Sequence, residues 1–188
     1  MLDGPIVNTD KIEQSRKLYE EIHQTHTKYR AFWKETTLWH WEFWLSLFLT
    51  VFPWIVWWFY RKRGSEGRLL LVGFFVLLVA SWFDFLGVAF GAWFYTGKAL
   101  PAMPTFFPWD FSLLPVSLML WLQFQPHWNA FVKAVIYALF IAFVGEPFFE
   151  WLGFYTPLKW SAYYSFPIYI VIFLVSHRFS KMMSFDTL

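Results

Sequence analysis

The chain has 188 residues, of which 58% are hydrophobic, 26% aromatic and only 15% charged. Soluble domains carry about 25% charged residues, and a soluble fold of this size would leave much of so apolar a chain in contact with water. The absence of cysteine excludes disulfides and thiol nucleophiles, and a net charge of +2 gives no reason to expect nucleic acid as a partner. The composition therefore predicts an integral protein of a cell membrane.

Residues 1–37 are predicted to form an N-terminal domain consisting of one charged, amphipathic helix. Its apolar and aromatic residues recur at helical spacing, and acidic and basic side chains occupy the other faces. The members of this stripe are Ile12, Tyr19, Ile22, His26, Tyr29 and Trp33. We expect the helix to lie along the membrane surface or to pack on the rest of the protein. A coiled coil with a partner protein or with a second copy of the chain is the alternative.

Residues 38–188 are predicted to form a transmembrane helical bundle. A membrane-spanning helix needs about 20 mostly apolar residues. Five segments are candidates: Leu38–Tyr60, Leu69–Trp93, Trp109–Phe124, Phe131–Trp151 and Tyr164–His177. The intervening Gly97–Pro108 contains three prolines and is predicted to be a loop over one mouth of the bundle. The expected fold class is all-α, a polytopic bundle of about five transmembrane helices preceded by an amphipathic helix.

The basic residues of the short loops predict the orientation of the bundle, because such loops are richer in Lys and Arg on the cytoplasmic side. One side of the predicted topology holds Arg61, Lys62, Arg63, Arg68, Lys133, Arg178 and Lys181. The opposite short loops hold only Lys98 and Lys159. We therefore expect the C-terminus to lie in the cytoplasm.

An internal similarity suggests tandem two-helix repeats. Asp84-Phe-Leu-Gly is similar to Glu150-Trp-Leu-Gly, and Phe94-Tyr-Thr-Gly is similar to Phe154-Tyr-Thr-Pro. The two matches differ in spacing, so chance similarity in an aromatic-rich chain is the alternative explanation. If the repeat is real, the second and third predicted spans and the fourth and fifth form two parallel halves, as in some transporters.

Acidic residues in apolar surroundings are the candidates for chemistry. A charged side chain deep in a bilayer costs at least about 2.5 kcal/mol, so such residues are expected to face the interior of the bundle. The topology places four of them at similar depth near the outer leaflet: Asp84, Asp110, Glu146 and Glu150. The aromatic residues expected to surround them as a ligand-binding wall are Trp82, Trp93, Tyr95, Trp109, Phe149, Trp151 and Tyr155. The alternative is that acids and aromatics near helix ends simply lie among the lipid headgroups, an interpretation that applies most to Asp110 and Glu150.

Neither a metal nor a cofactor is predicted. His40 and His127 lie at the ends of predicted spans without a second ligand at metal-binding spacing. The sequence also lacks a glycine-rich phosphate loop, a serine nucleophile elbow and a metalloprotease helix.

The central stretch resembles two families. Asp84–Val88, Trp93–Tyr95, Phe107–Asp110 and Pro115 resemble a family of uncharacterised small polytopic membrane proteins of Gram-positive bacteria, which implies no activity. A fainter resemblance is to lycopene-cyclase-type membrane terpene cyclases, which are small membrane bundles with repeated halves. Asp84, Gly91-Ala92-Trp93 and Pro108-Trp109-Asp110 follow the order of that family's acid, Gly-x-Trp-like element and Pro-x-Glu-Glu motif. The paired acids of the motif are reduced here to Asp110, which Phe111 follows.

Isoprenoid cyclisation is the function that this resemblance and the acid-aromatic pattern favour. The reaction needs a protonated carboxyl group, aromatic faces that stabilise a carbocation, and the exclusion of water. In this hypothesis Asp84 or Glu146 is the acid, Asp110 or Glu150 is its modulator or the final proton acceptor, and the ligand is a membrane lipid or isoprenoid. The alternatives are a non-enzymatic lipid-binding or membrane-assembly protein and a small transporter subunit that binds an amine or another cation.

Overall fold

The computed structural model describes residues 9–181, and most of this part of the chain is helical. The α-helices are α1 (Thr9–Thr36), α2 (Trp41–Tyr60), α3 (Glu66–Ala89), α4 (Leu114–Gln123), α5 (Ala130–Phe140), α6 (Glu146–Trp151) and α7 (Ala162–Lys181). Two π-helical segments, Pro108–Leu113 and Ile141–Gly145, lead directly into α4 and α6. The sequence analysis did not predict the two short strands β1 (Trp93–Tyr95) and β2 (Tyr155–Pro157), which form an antiparallel ribbon.

Three helices of the described chain are long and apolar enough to cross a membrane: Trp41–Tyr60, Glu66–Ala89 and Ala130–Trp151. They overlap three of the five predicted spans. The other two predicted spans also coincide with helices, but these do not meet the same criteria of length and apolar composition. The helix that includes α4 is short, and α7 has 20 residues but contains Pro167, Ser176 and His177. The findings support a membrane protein with three apolar helices of spanning length.

The core of the bundle lies between α3, α4, α5 and α7. Val76, Leu118, Ala138 and Phe173, one from each helix, are completely buried. Small residues allow the helices to approach closely, since a Cβ added at Gly73 of α3 would lie 2.8 Å from the sulfur of Met119. Most other large apolar side chains are exposed on the outer faces, as expected where acyl chains replace water.

The predicted N-terminal helix is present as α1, and residues 1–8 lie outside the described chain. None of its residues is buried, and the apolar stripe at Ile12, Tyr19 and Ile22 is exposed. Only the C-terminal part of the stripe packs on the bundle. There the indole of Trp33 donates a hydrogen bond to the carbonyl of Lys98 at 2.7 Å.

The predicted loop Gly97–Pro108 is irregular up to Pro108, where the first π-helical segment begins. Three hydrogen bonds fix it. The hydroxyl of Ser46 donates to the carbonyl of Gly97 (2.6 Å), the ammonium of Lys98 to the carbonyl of Met103 (2.7 Å) and the amide of Phe106 to Asp84 (3.1 Å). Burial lowers the pKa of Lys98, and the ammonium is held by a carbonyl inside the loop. The loop is thereby attached to α2 at one end and to α3 at the other.

The predicted orientation can be tested with single cysteines, because the chain contains none of its own. Gly97 is unsuitable, since its φ is +64° and an added Cβ would lie 2.4 Å from the ring of Phe154. Leu100 of the same loop is 50% exposed. We expect Leu100→Cys to react in intact cells with a thiol reagent that does not cross the membrane. Ser65→Cys, in the α2–α3 loop, should react only after the cells are permeabilised. The reverse pattern would show that the orientation is inverted.

Candidate functional site

A cavity lies where α3, α6, α7 and the first π-helical segment meet beneath the β-ribbon. It offers about 70 Å³ to the centres of water-sized molecules, within about 670 Å³ of unfilled space that is partly open to the outside. The lining residues are Ala80, Phe83, Asp84, Trp93, Tyr95, Phe106, Trp109, Asp110, Leu114, Glu146, Phe149, Tyr155, Trp160, Ser165, Ile168, Tyr169 and Ile172. Carboxyl groups and aromatic rings thus face one space.

Three of the four predicted acids line this cavity: Asp84, Asp110 and Glu146. Asp84 is 6% exposed and Asp110 is 1% exposed. Glu150 lies outside the cavity and is exposed. Glu150 does not join the other three predicted acids, because α6 turns Glu146 and Phe149 inward and leaves Glu150 on its outer side.

Asp84 is the most heavily bonded of the three acids. One carboxyl oxygen accepts a hydrogen bond from the hydroxyl of Tyr95 at 2.7 Å, and the other accepts one from the amide of Phe106 at 3.1 Å. Burial, followed by the charges of Asp84 and Asp110, raises the pKa of Tyr95 well above its ordinary value. The phenol of Tyr95 therefore keeps its proton and serves Asp84 as a permanent donor.

Asp110 lines the same cavity as Asp84 and comes from the first π-helical segment. Its Oδ2 atom is buried without a hydrogen-bond partner in the described chain. Two carboxyl groups that face one buried space repel each other when both are ionised, so a proton on one of them is favoured. The two acids thus offer a carboxyl oxygen with no partner beside the cavity.

Glu146 faces the same space from the other side of the bundle. It directly follows the second π-helical segment, and its Oε1 accepts a hydrogen bond from the hydroxyl of Tyr169 at 2.9 Å. Ser165, one turn before Tyr169 on α7, also lines the cavity, and its hydroxyl accepts a hydrogen bond from the indole of Trp160 at 2.9 Å. The sequence analysis missed both residues, although polar residues at 165, 169 and 176 recur at helical spacing in an apolar helix.

Five of the seven predicted aromatic residues line the cavity: Trp93, Tyr95, Trp109, Phe149 and Tyr155. The other two lie on the outer surface, with Trp82 63% exposed and Trp151 79% exposed. The structure does not bring them to the cavity, and the sequence could not show this because hydrophobicity alone does not distinguish the inner from the outer face of a membrane helix. Phe106 completes the wall by stacking on Tyr95, with ring centroids 5.2 Å apart.

The position of Trp93 depends on a glycine in α3. A Cβ built on Gly87 would lie 2.0 Å from the indole of Trp93, so the ring packs directly against the helix backbone. The other edge of the indole meets Trp160, with centroids 5.0 Å apart. Gly87 therefore fixes one wall of the cavity.

None of the ion pairs identified among residues 9–181 involves one of the three acids, since Arg16 pairs with Glu13 and Arg61 with Glu66. Burial lowers the pKa of Lys98 and the charge of Asp84 opposes this effect, but the ammonium of Lys98 donates to the carbonyl of Met103. No group of three His, Asp or Glu side chains in the same part of the chain is arranged to hold a metal ion. The cavity thus combines carboxyl groups with aromatic faces.

Comparisons with protein-family models, curated proteins and solved structures found no match for this chain. The two family resemblances noted in the sequence stay predictions. The geometry of the cavity is therefore the basis for assigning a function.

The close approach of Trp93 to α3 leads to a test with a matched control. We expect Gly87→Ala to lower the unfolding free energy by about 1–3 kcal/mol, as is usual when a group is added to a packed interior. Gly67→Ala in the same helix should be neutral or stabilise by up to about 1 kcal/mol, because no atom lies within 4 Å of the new methyl group. Thermal unfolding in detergent would measure both. Equal stability of the two variants would show that Trp93 does not pack on α3 as described.

Proposed function

We propose that the protein is a membrane enzyme that protonates the end of an isoprenoid lipid and promotes its cyclisation or isomerisation. The observation that carries this proposal is that two buried acids, Asp84 and Asp110, face one cavity whose other walls are mainly aromatic. The resemblance to membrane terpene cyclases points to the same chemistry.

The cavity suits each step of such a reaction. The carboxyl proton adds to a terminal carbon–carbon double bond, whose electrons form the new C–H bond and leave a carbocation. A second double bond attacks this cation to close a ring. The carboxylate left by the first step, or the neighbouring acid, then takes a proton from the adjacent carbon, and the electrons of that C–H bond form the new double bond of a neutral alkene. The faces of Trp93, Trp109 and Phe149 stabilise the cation, by roughly 2 kcal/mol or more for each desolvated contact. The apolar walls exclude the water that would otherwise trap it.

An isoprenoid can reach the cavity sideways. Phe83 of α3 and Ile168 of α7 both line it and are partly exposed, so the cavity approaches the outer surface between these two helices. Since α3 is apolar enough to span the membrane, this surface faces acyl chains. The space inside accommodates one end of a prenyl chain, and the remainder of the chain would lie in the bilayer.

The proposed membrane arrangement has five spans. In addition to the three helices of spanning length, the helix from Pro108 to Gln123 and α7 serve as the third and fifth spans. Leu118 and Phe173 support this arrangement, because they bury these helices among the apolar ones. The C-terminus is placed in the cytoplasm and the acids near the outer leaflet.

A second candidate function is the binding of a small organic cation. Three carboxyl groups that face one cavity and a wall of aromatic rings are the features that bind protonated amines. A protein with this function would bind an amine tightly and release it unchanged, whereas a cyclase would convert a neutral prenyl lipid.

The proposed function can be tested with the purified protein in liposomes. It is incubated with a panel of acyclic prenyl alcohols, hydrocarbons and epoxides, and products of unchanged mass are identified by chromatography and mass spectrometry. We expect Asp84→Asn to lower turnover at least about 100-fold, because the amide keeps the shape of the carboxyl group but has no proton to transfer. Glu150→Gln, an exposed acid of α6, is the matched control and should retain full turnover. A wild-type protein that converts none of these lipids would refute the enzymatic proposal.

The aromatic wall gives an independent prediction. We expect Trp93→Leu to lower turnover by up to about thirtyfold, equivalent to about 2 kcal/mol, and to yield additional products, since the cation is less stabilised. Trp82→Leu replaces an exposed tryptophan of the same half of the bundle and should leave the products unchanged. The ratio of products from each variant is the measurement. An unchanged product ratio for Trp93→Leu, in a variant that remains folded, would contradict a role of this ring in stabilising the cation.

A further inference from the structure

The connections from α3 to β1 and from α6 to β2 follow the same backbone path. Three backbone hydrogen bonds of the first connection recur in the second, each shifted by 62 positions. They run from Phe90, Gly91 and Ala92 to the carbonyls of Leu86, Val88 and Gly87, and from Leu152, Gly153 and Phe154 to those of Phe148, Glu150 and Phe149. The two helices end, and the two strands begin, with the same shift.

A left-handed glycine closes each helix at equivalent positions. Gly91 has a φ of +65° and Gly153 a φ of +79°, the conformation that commonly ends a helix and that other residues adopt at a cost. The two chain segments therefore turn in the same direction after their helices.

The register of the ribbon is the one that a two-fold axis requires. Phe94 pairs with Thr156, which is its equivalent under the shift of 62. On either side, Trp93 pairs with Pro157 and Tyr95 with Tyr155. Rotation by 180° about the central pair exchanges β1 with β2, and it carries α3 onto α6 because the connections match.

The same shift relates Asp84 to Glu146. Each acid precedes the last residue of its helix by five positions, each lines the cavity, and each accepts a hydrogen bond from a tyrosine. The equivalent residues Trp93 and Tyr155 also both line the cavity. The side chains at two pairs of equivalent positions differ in size in opposite directions. The first segment has the small Gly87 with the large Trp93, and the second has the larger Phe149 with the smaller Tyr155.

We propose that α3–β1 and α5–α6–β2 are two copies of one structural unit, and that Asp84 and Glu146, one from each copy, bind a single ligand group between them. The ligand class is a prenyl chain that ends in a cationic group, either a protonated amine or the carbocation formed during turnover. The assignment of a prenyl chain to the ligand rests on the proposed function, whereas the two-sided site, in which a cation binds between Asp84 and Glu146, does not. A group near the two-fold axis interacts with both carboxyl groups, and the aromatic residues around it complete the site.

The experiment uses farnesyl-dimethylamine, which is protonated at neutral pH, and the full chain in detergent micelles. Calorimetry gives the dissociation constant for the wild-type protein and for Asp84→Asn, Glu146→Gln and Glu150→Gln. We expect Asp84→Asn and Glu146→Gln each to weaken binding by about tenfold or more, because each removes one charge from the partly desolvated site. Glu150→Gln should bind like the wild type. A hydrocarbon of the same shape, with carbon in place of nitrogen, should bind equally to all four proteins.

Two further variants distinguish the effect of a lost charge from the effect of a lost folded structure. Asp84→Glu and Glu146→Asp keep the charge and should retain more affinity than the amides. Unfolding midpoints within a few degrees of the wild type would show that lost affinity is not lost structure.

The possible outcomes separate this inference from the proposed function. If Glu146→Gln binds the amine as the wild type does, the two-sided site is refuted, and turnover of prenyl lipids can still stand. If both amides weaken binding but no prenyl lipid is converted, the two-sided site stands and the enzymatic proposal fails. If the wild-type protein does not bind the amine, the inference is refuted whatever the turnover assay shows.

Discussion

Much of the structure converges on the carboxyl group of Asp84, a polar side chain placed in an apolar bundle. Such a group is costly in this environment unless donors surround it, and its donors come from two other elements of the fold. The hydroxyl of Tyr95 donates from β1, and the amide of Phe106 donates from the end of the loop. Satisfying one carboxyl group thus fixes the ribbon and the loop against α3. The hydrogen bonds that make burial of Asp84 possible therefore also hold the residues that surround the cavity.

The abundance of aromatic residues has two separate explanations. One set, which includes Trp93, Phe106 and Phe149, is buried and packs edge-to-face or stacked around the cavity. A second set, which includes Trp58, Trp82 and Trp151, is exposed on the outer surface of the helices. The second set meets lipid and headgroups, where tryptophan is common in any membrane protein. Only the first set bears on the proposed function, so the overall count of aromatic residues says little about chemistry.

The sequence predicts those parts of the fold that follow from physical requirements on a whole helix, such as its apolar length and the cost of placing a charge in lipid. The apolar runs of α2, α3 and α5–α6 are unmistakable, and the cost of an acid in lipid correctly predicts that Asp84, Asp110 and Glu146 face inward. The same argument does not predict which face of a helix a given side chain occupies, because a shift of one residue changes that face. Glu150 and Trp151 lie about one turn after Glu146 and yet face outward, because Glu146 and Phe149 form the inner face of α6 and each later residue is rotated by about 100° from the one before it. The ribbon consists of three-residue strands, too short for any periodicity to reveal. The sequence similarities suggested a repeat, but their spacings are not that of the backbone equivalence, which only the hydrogen bonds disclose.

The two π-helical segments have a consequence for how the chain can change over time. Each contains one more residue in a turn than an α-helix would, and each adjoins an acid of the cavity: Asp110 lies within the first and Glu146 follows the second. Conversion of either segment to a regular α-helix, with no residue removed, would rotate everything beyond it by about 100° relative to the preceding part. Such a conversion would leave length, composition and hydropathy unchanged, yet it would turn the carboxyl group away from the cavity. The irregular turn is therefore a requirement of the cavity, and substitutions that remove it would be expected to abolish the site while keeping the membrane fold.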